Sequence, residues 1–319
     1  MRNPKKILVI GDLILDVFHH GTYIGQSLSH TKTPVALGRS SVYAWGGAGF
    51  LVRNMLALGG RVSFISALGG DDFAARANRF EHPRLKKLFL QIPGKPTTVK
   101  QRFWTGEKRV LNWHQFDNSP LSGVSARALF ARVRAELPSV SKVVIADYRH
   151  GLLSPALAKK IVGECVRRRI PLYIDSQISY NHKSNHSWYK GAPLFCLNLK
   201  EARSVDPLFN LRKPEVSLAR LQKALRAEDI VVKLGAQGSV ALIGTEYIKI
   251  NAHKVRELDA TGAGDSFIGS LALGEFPPTR GDLERANIWA ALSTTKIGTT
   301  IPPLSEFKER IAKHRPRRH

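Results

Sequence analysis

Short apolar runs that each stop at a polar residue or a glycine constrain this chain more than any other feature. Residues 6–10 end at Gly11-Asp12, 142–146 at Asp147, 171–174 at Asp175, 194–197 at Asn198 and 230–234 at Gly235. Continuous apolar runs of this length suit strands buried on both faces, because a half-exposed strand would alternate apolar and polar residues. Helical periodicity over 126–137, 155–168 and 214–227 falls between them. That alternation predicts an α/β fold, a three-layer αβα sandwich around a mostly parallel sheet. Ligands of such sheets bind beyond the carboxyl ends of the strands, so the polar residues that close the runs are the first site candidates.

The other segments fit around this frame. Gly46-Gly47 opens a helix that runs to 58 and stops at Gly59-Gly60, and 62–68 returns as a strand. Strands are predicted at 239–243 and 247–250, and helices from Gly262, at 282–297 and at 304–312. Residues 17–45 read as short strands and loops, and 96–103 and 109–116 as a hairpin turning at Gly106-Glu107. These two insertions, approximately 17–45 and 95–117, predict a small β-sheet lid on a single domain spanning 1–319. Phe103, Trp104, Trp113 and Phe116 are expected to form its core rather than a base-stacking platform.

Composition removes several classes. No run of about 18 apolar residues occurs and the N-terminus leads straight into a strand, so a soluble cytoplasmic protein without a membrane partner is expected. Cys165 and Cys196 alone make no disulfide framework. His19, His20, His114, His150, His182 and His186 lack metal-ligand spacing. Lys and Arg outnumber Asp and Glu by 49 to 25, a formal charge of +24, which raises the question of nucleic acid. The basic residues are spread over helices with a short cluster only at 313–318, and no zinc-finger, helix-turn-helix or RNP-like signature is present. A positive field that gathers small phosphorylated molecules fits the charge, and a nucleic-acid partner is not expected.

The stretch Asp259-Ala-Thr-Gly-Ala-Gly-Asp265-Ser-Phe267 combines small residues, two acids and a following apolar helical run. Gly262, Ala263 and Gly264 at a helix start can present unpaired N–H groups to an anion, with Asp265 placed to take a proton from an attacking hydroxyl. The same residues also read as an ordinary helix cap with a carboxylate at the positive end of the dipole. Asp12 and Asp16 likewise read either as turn residues or as acceptors for sugar hydroxyls.

Together these segments resemble the ribokinase (pfkB) family of carbohydrate kinases. Gly46-Gly47-Ala48-Gly49 and, more specifically, 259–267 carry the likeness, with Gly11-Asp12, Asp147, Asn198…Glu201, Lys233…Gly235…Gly238 and Asn287…Gly298 in matching order over nearly the whole chain. Within the family the sequence is most similar to the heptose-7-phosphate kinase group, through 145–151, 172–175, 198–201, 296–300 and Thr97…Lys100-Gln-Arg102. The nucleotidyltransferase domain often fused to that kinase is expected to be absent.

The resemblance implies a ribokinase-like fold and ATP- and Mg2+-dependent phosphorylation of a sugar or sugar phosphate. Asp265 would be the general base, and the N–H groups of Gly262, Ala263 and Gly264 the anion hole. Asn198 and Glu201 would order Mg2+, partly through water. Lys233, Gly235, Gly238, Thr261, Asn287 and Gly298 would bind the nucleotide, and Asp259 would be structural or hold a monovalent cation such as K+. Asp12, Asp16, Gly46, Gly47, Phe50, Lys100, Arg102 and Asp147 would bind the acceptor. Because the family's lids sometimes pair between subunits, it also allows a homodimer. Departures fall on the acceptor side: Phe50 replaces an Asn, Ser176-Gln177 a Pro-Lys, and Asn112 and His114 an Arg and an Asp. They keep two alternatives in view, a catalytically silent sugar- or nucleotide-binding regulator and a nucleoside kinase.

Overall fold

The computed structural model describes residues 6–28, 32–179 and 183–314; the N-terminal lead-in, His182 and the end of the basic 313–318 cluster lie outside them. β1 (Lys6–Gly11) runs into a hairpin of β2 (Leu13–Gln26) and β3 (Pro34–Gly47), then α1 (Ala48–Ala57), β4 (Arg61–Ile65), β5 (Ala67–Leu68) and α2 (Asp72–Asn78). After β6 (Leu85–Lys87) and β7 (Leu90–Gln91), a second hairpin of β8 (Val99–Thr105) and β9 (Lys108–Gln115) leads to α3 (Gly123–Glu136). β10 (Lys142–Asp147), α4 (Pro155–Arg167), β11 (Leu172–Ser176), β12 (Leu194–Asn198), α5 (Leu199–Val205), α6 (Pro214–Leu225) and β13 (Asp229–Lys233) continue the alternation. The chain closes with β14 (Ser239–Ile243), β15 (Glu246–Ile250), α7 (Ala263–Leu271), α8 (Arg280–Ser293) and α9 (Leu304–His314).

Among the described residues nine strands form the central sheet in the order β15-β14-β13-β12-β11-β10-β1-β4-β6. Its pairings are parallel except those of β14 with β13 and β15. Successive side chains go to opposite faces: Leu8 and Ile10 pack with α3, α4 and α6, while Ile7 and Val9 pack with α1, α7 and α8. Val143 and Ile145, then Val144 and Ala146, repeat the division on β10. Both faces are dry, which is why these strands read as unbroken apolar runs. The carboxyl ends of β1, β10, β11, β12 and β13 point the same way and deliver Asp12, Asp147, Asp175, Asn198 and Lys233 to one edge.

The small sheet has the order β3-β2-β8-β9, two antiparallel hairpins joined by the parallel pair β2 and β8. The segment read as short strands and loops is therefore two 14-residue strands. Trp113 and Phe116 also differ from expectation, being 59% and 36% exposed, because among the described residues no element covers them on β9 and just after it. The sequence reading passes over α5, whose seven residues span too few turns to show a period. Among the described residues no helix is long and apolar enough to cross a membrane, and both cysteines are buried and unpaired.

Ile145, fully buried, lies in register between Ile10 and Ile174 at the centre of the sheet. Ile145→Ala is expected to lower the unfolding free energy by about 2–5 kcal/mol, read from the denaturant midpoint at unchanged slope.

Candidate active site

A cavity of about 840 Å3 opens at the carboxyl edge of the sheet. Asp175, Asn198, Glu201 and Lys233 form its floor, and the Gly235–Gly238 turn, the segment 251–255, Asn287 and the Gly262–Asp265 loop form its walls. Backbone geometry makes room here. Gly235 and Gly238 have φ of 59° and 90°, and a Cβ on Gly238 would meet the Ile250 carbonyl oxygen at 2.1 Å.

Asp265 sits in the first turn of α7, which Gly262 caps with φ 81°. The Gly262 and Gly264 N–H groups have no intrahelical partner, whereas Ala263 spends its N–H on the Ala260 carbonyl at 3.1 Å. A Cβ on Gly262 would meet the Phe50 ring at 2.4 Å. Phe50 is fully buried, so its ring backs the Gly262 turn instead of facing solvent. Burial pushes the Asp265 carboxyl up to about 7; the Tyr148 hydroxyl, which donates to Oδ1, and Lys233 pull it down, while Asp175 and Asp16 push it up.

Lys233 donates to Asp175 Oδ1 at 2.9 Å, and burial, which opposes its charge, is outweighed by Asp175 and Glu201. Asn198 caps α5 in a reciprocal box: Glu201 N–H donates to its Oδ1 at 2.9 Å, and the Asn198 N–H and Nδ2 donate to the Glu201 carboxylate at 2.7 and 2.6 Å. Burial lifts Glu201 to about 7, against Lys233 and with Asp175. Asn287 donates from Nδ2 to Ser239 Oγ and the Leu283 carbonyl, both at 2.8 Å. Thr261 and Gly298 lie outside the cavity wall. Both donate to Asp259, Thr261 at 2.9 and 2.6 Å from N and Oγ1 and Gly298 at 2.9 Å, so Asp259 ties two loops together.

On the other side of Asp265, β1, β2 and β8 contribute a second group of residues. Asp12 accepts the Tyr148 N–H at 2.9 Å, and burial with the nearby Asp147 pushes it up to about 7. Asp16 accepts from Arg102 at 2.8 Å, and a Cβ on Gly46 would meet its Oδ2 at 2.1 Å. Gly47, with φ 56°, lets the chain pass the Asp12 carbonyl, which a Cβ would approach to 2.8 Å. Lys100 has no hydrogen-bond partner among the described residues; burial lowers its pKa, with Asp16, Asp265 and Asp12 acting the other way. Arg53 stacks over Phe50 at 5.7 Å, and His114 feels both Lys100 and Arg102. Asp147 is turned inward: Asn185 and Tyr189 both donate to its Oδ2 at 2.6 Å, and the Arg149 N–H to its Oδ1 at 2.8 Å.

The structure thus brings the expected strand-end and loop residues to one edge, together with Tyr148, Asp175 as the partner of Lys233, and the 251–255 wall, which were not among those expected. The strand-end rule pointed at Asp175 and its neighbours. Nothing local marks Tyr148 or 251–255, whose roles depend on contacts far along the chain. Chemically, a buried carboxyl raised to about 7 stands between a glycine turn with unpaired N–H groups and a group of residues that holds Asp12, Asp16, Lys100 and Arg102.

Residues 4–306 match the profile of the family described as pfkB family carbohydrate kinase. The Bifunctional protein HldE of Campylobacter curvus is 29% identical over 316 residues, covering 97% of this chain and 65% of that protein. The protein of the same name from Nitrobacter winogradskyi is 30% identical over 321 residues, covering 96% and 64%. The chain therefore spans a little under two thirds of the length of these curated relatives. Among solved structures, phosphofructokinase-2 from Escherichia coli, determined in complex with substrates and products and in complex with potassium, superposes with a TM-score of 0.77 at 16% identity over 97% of this chain and 99% of that one. That likeness shows a shared fold, the one expected from the sequence.

A carboxyl raised from 3.8 to about 7 by folding disfavours the folded state above pH 7, and the effect fades once both states are protonated near pH 4. Asp265→Asn is therefore expected to stabilise the protein at pH 8 by on the order of 1–3 kcal/mol, the gain shrinking as pH falls toward 4 in melting curves.

Proposed function

Because the chain belongs to the pfkB family of carbohydrate kinases and is a sugar kinase, we propose that it transfers the γ-phosphoryl group of ATP to a hydroxyl of a phosphorylated sugar, with Asp265 as general base. The observation that carries this reading is the position of Asp265 between the large cavity and the Asp12–Asp16–Lys100 group. In the proposed step Asp265 takes the hydroxyl proton as the oxygen bonds to the γ-phosphorus and the bond to the leaving ADP oxygen breaks. Gly262 and Gly264 N–H groups hold the charge on the transferred phosphoryl oxygens, and Ala263 can join them by releasing the Ala260 carbonyl. Lys233 stands close behind, its Nζ 3.4 Å from the Cβ position of Gly264.

The volume of the cavity suits a nucleotide. We assign Gly235, Gly238 and Asn287 to its walls, and Thr261 and Gly298 to keeping the anion-binding loop in place. The donors beside it suit Mg2+, since Asn198 and Glu201 are hard oxygen ligands and Glu201 is a buried carboxylate that a cation would keep ionised. Bound there, Mg2+ supplies neutralisation of the phosphate charge. Asp259, joining its loop to Gly298, is the proposed neighbour of a K+ ion.

Asp12 and Asp16 are proposed to accept sugar hydroxyls. Lys100, Arg102 and Arg53 support an acceptor that already carries a phosphate, because three cations gather there and the Lys100 ammonium, although it feels Asp16, Asp265 and Asp12, makes no hydrogen bond among the described residues. Asp147 holds the loop under Asp12 in place. The small sheet is proposed as the lid, and its exposed Leu111, Trp113 and Tyr43 support pairing in a homodimer.

ADP release measured over heptose and hexose phosphates, unphosphorylated sugars and nucleosides should peak on a sugar phosphate. Asp265→Asn should then lower kcat about 10²–10⁴-fold with ATP affinity unchanged. Nucleotide binding without turnover on any acceptor would favour a silent regulator. Gly46→Ala, which displaces Asp16, should raise the acceptor KM roughly tenfold, the loss of about 1.4 kcal/mol of binding, and leave the KM for ATP in place.

A further inference from the structure

We propose that Tyr148 is a positioning residue for Asp265: its phenol holds one carboxylate oxygen so that the other is presented to the acceptor hydroxyl. This rests on the kinase reading above. Tyr148 follows β10 directly and is fixed at both ends. Its backbone N–H donates to Asp12 Oδ2 at 2.9 Å, and its hydroxyl donates to Asp265 Oδ1. Between these ends the ring packs against the apolar cluster to which α1 and α7 contribute. One residue therefore bridges the two acids that stand on either side of the acceptor.

Only Oδ1 of Asp265 has a hydrogen-bond donor among the described residues. A carboxylate free to rotate about its terminal torsion would sample a broad range of orientations. A donor on one oxygen restricts that range and leaves Oδ2 as the oxygen able to take a proton. The bond also favours the ionised form, since burial and the facing Asp265 and Asp175 carboxylates keep the Tyr148 phenol protonated, and its O–H donates more strongly to a carboxylate than to a neutral carboxyl. The groups facing Asp265 from the surrounding elements are Tyr148 after β10, Asp175 on β11, Lys233 on β13, Asp16 on β2 and Lys100 on β8, and Asp12 after β1 faces Tyr148 and Lys100. Tyr148 is the neutral one among them, so removing its hydroxyl changes the hydrogen bond without changing the net charge of the site.

The test is Tyr148→Phe, which keeps the ring and the backbone bond to Asp12. In protein labelled with 13C-carboxyl aspartate, with the Asp265 resonance assigned by its loss in Asp265→Asn, the titration midpoint should move to higher pH. The acid limb of kcat/KM should move with it. A displacement of about one unit makes the variant about fivefold slower at pH 7 and about tenfold slower at pH 6, with recovery by pH 9. A titration and an acid limb that both stay in place would overturn the proposal, as would a uniform loss of activity at every pH. If the wild type turns over no acceptor while the labelled carboxyl still moves in Tyr148→Phe, the kinase reading fails and the contact stands.

Discussion

The central sheet is apolar on both faces, and the rest of the molecule follows from that. Ile7, Val9 and Val144 on one side and Leu8, Ile10 and Ile145 on the other leave no room for polar chemistry along the strands. Unpaired charge inside such a layer would cost several kcal/mol per ion. Polar groups are therefore confined to the strand ends, and parallel direction brings five of those ends to one edge. The site lies where the dry core stops.

Confinement at that edge sets the electrostatics. Asp12, Glu201 and Asp265 are all raised to about 7, in each case chiefly by burial. Lys233 offsets this from the floor for Glu201 and Asp265, while Lys100 does so from the small sheet for Asp12 and Asp265. The acids end up balanced near neutrality, where a carboxylate can take a proton and give it back. The two hairpins matter for the same reason, since they carry Asp16, Lys100 and Arg102 over an edge the main sheet leaves open.

Several features were legible in the residues because their causes are local. Strand runs, the Gly46-Gly47 helix start and the 259–267 stretch each announce themselves within about ten residues. Asp147 shows the limit of that kind of reading. It closes a strand as Asp12 does, yet Asn185 and Tyr189 saturate it from 38 and 42 positions away. Phe50 is similar: at the helix start it reads as an acceptor contact, and only the packing puts its ring behind Gly262.

By itself, the sequence determined the layers, the ligand-bearing edge, the glycine turn with its acid and the carbohydrate kinase family, since all of these follow from short-range pattern and residue type. Tertiary structure decided which of the candidate groups are available and in what state. Tyr148 meets Asp265 across 117 positions, and Arg102 meets Asp16 across 86. A hydrogen bond depends on atoms brought within about 3 Å, and a buried pKa on everything packed around it. Neither quantity is a property of any short stretch of chain, so neither could be read before the sheet was folded and covered.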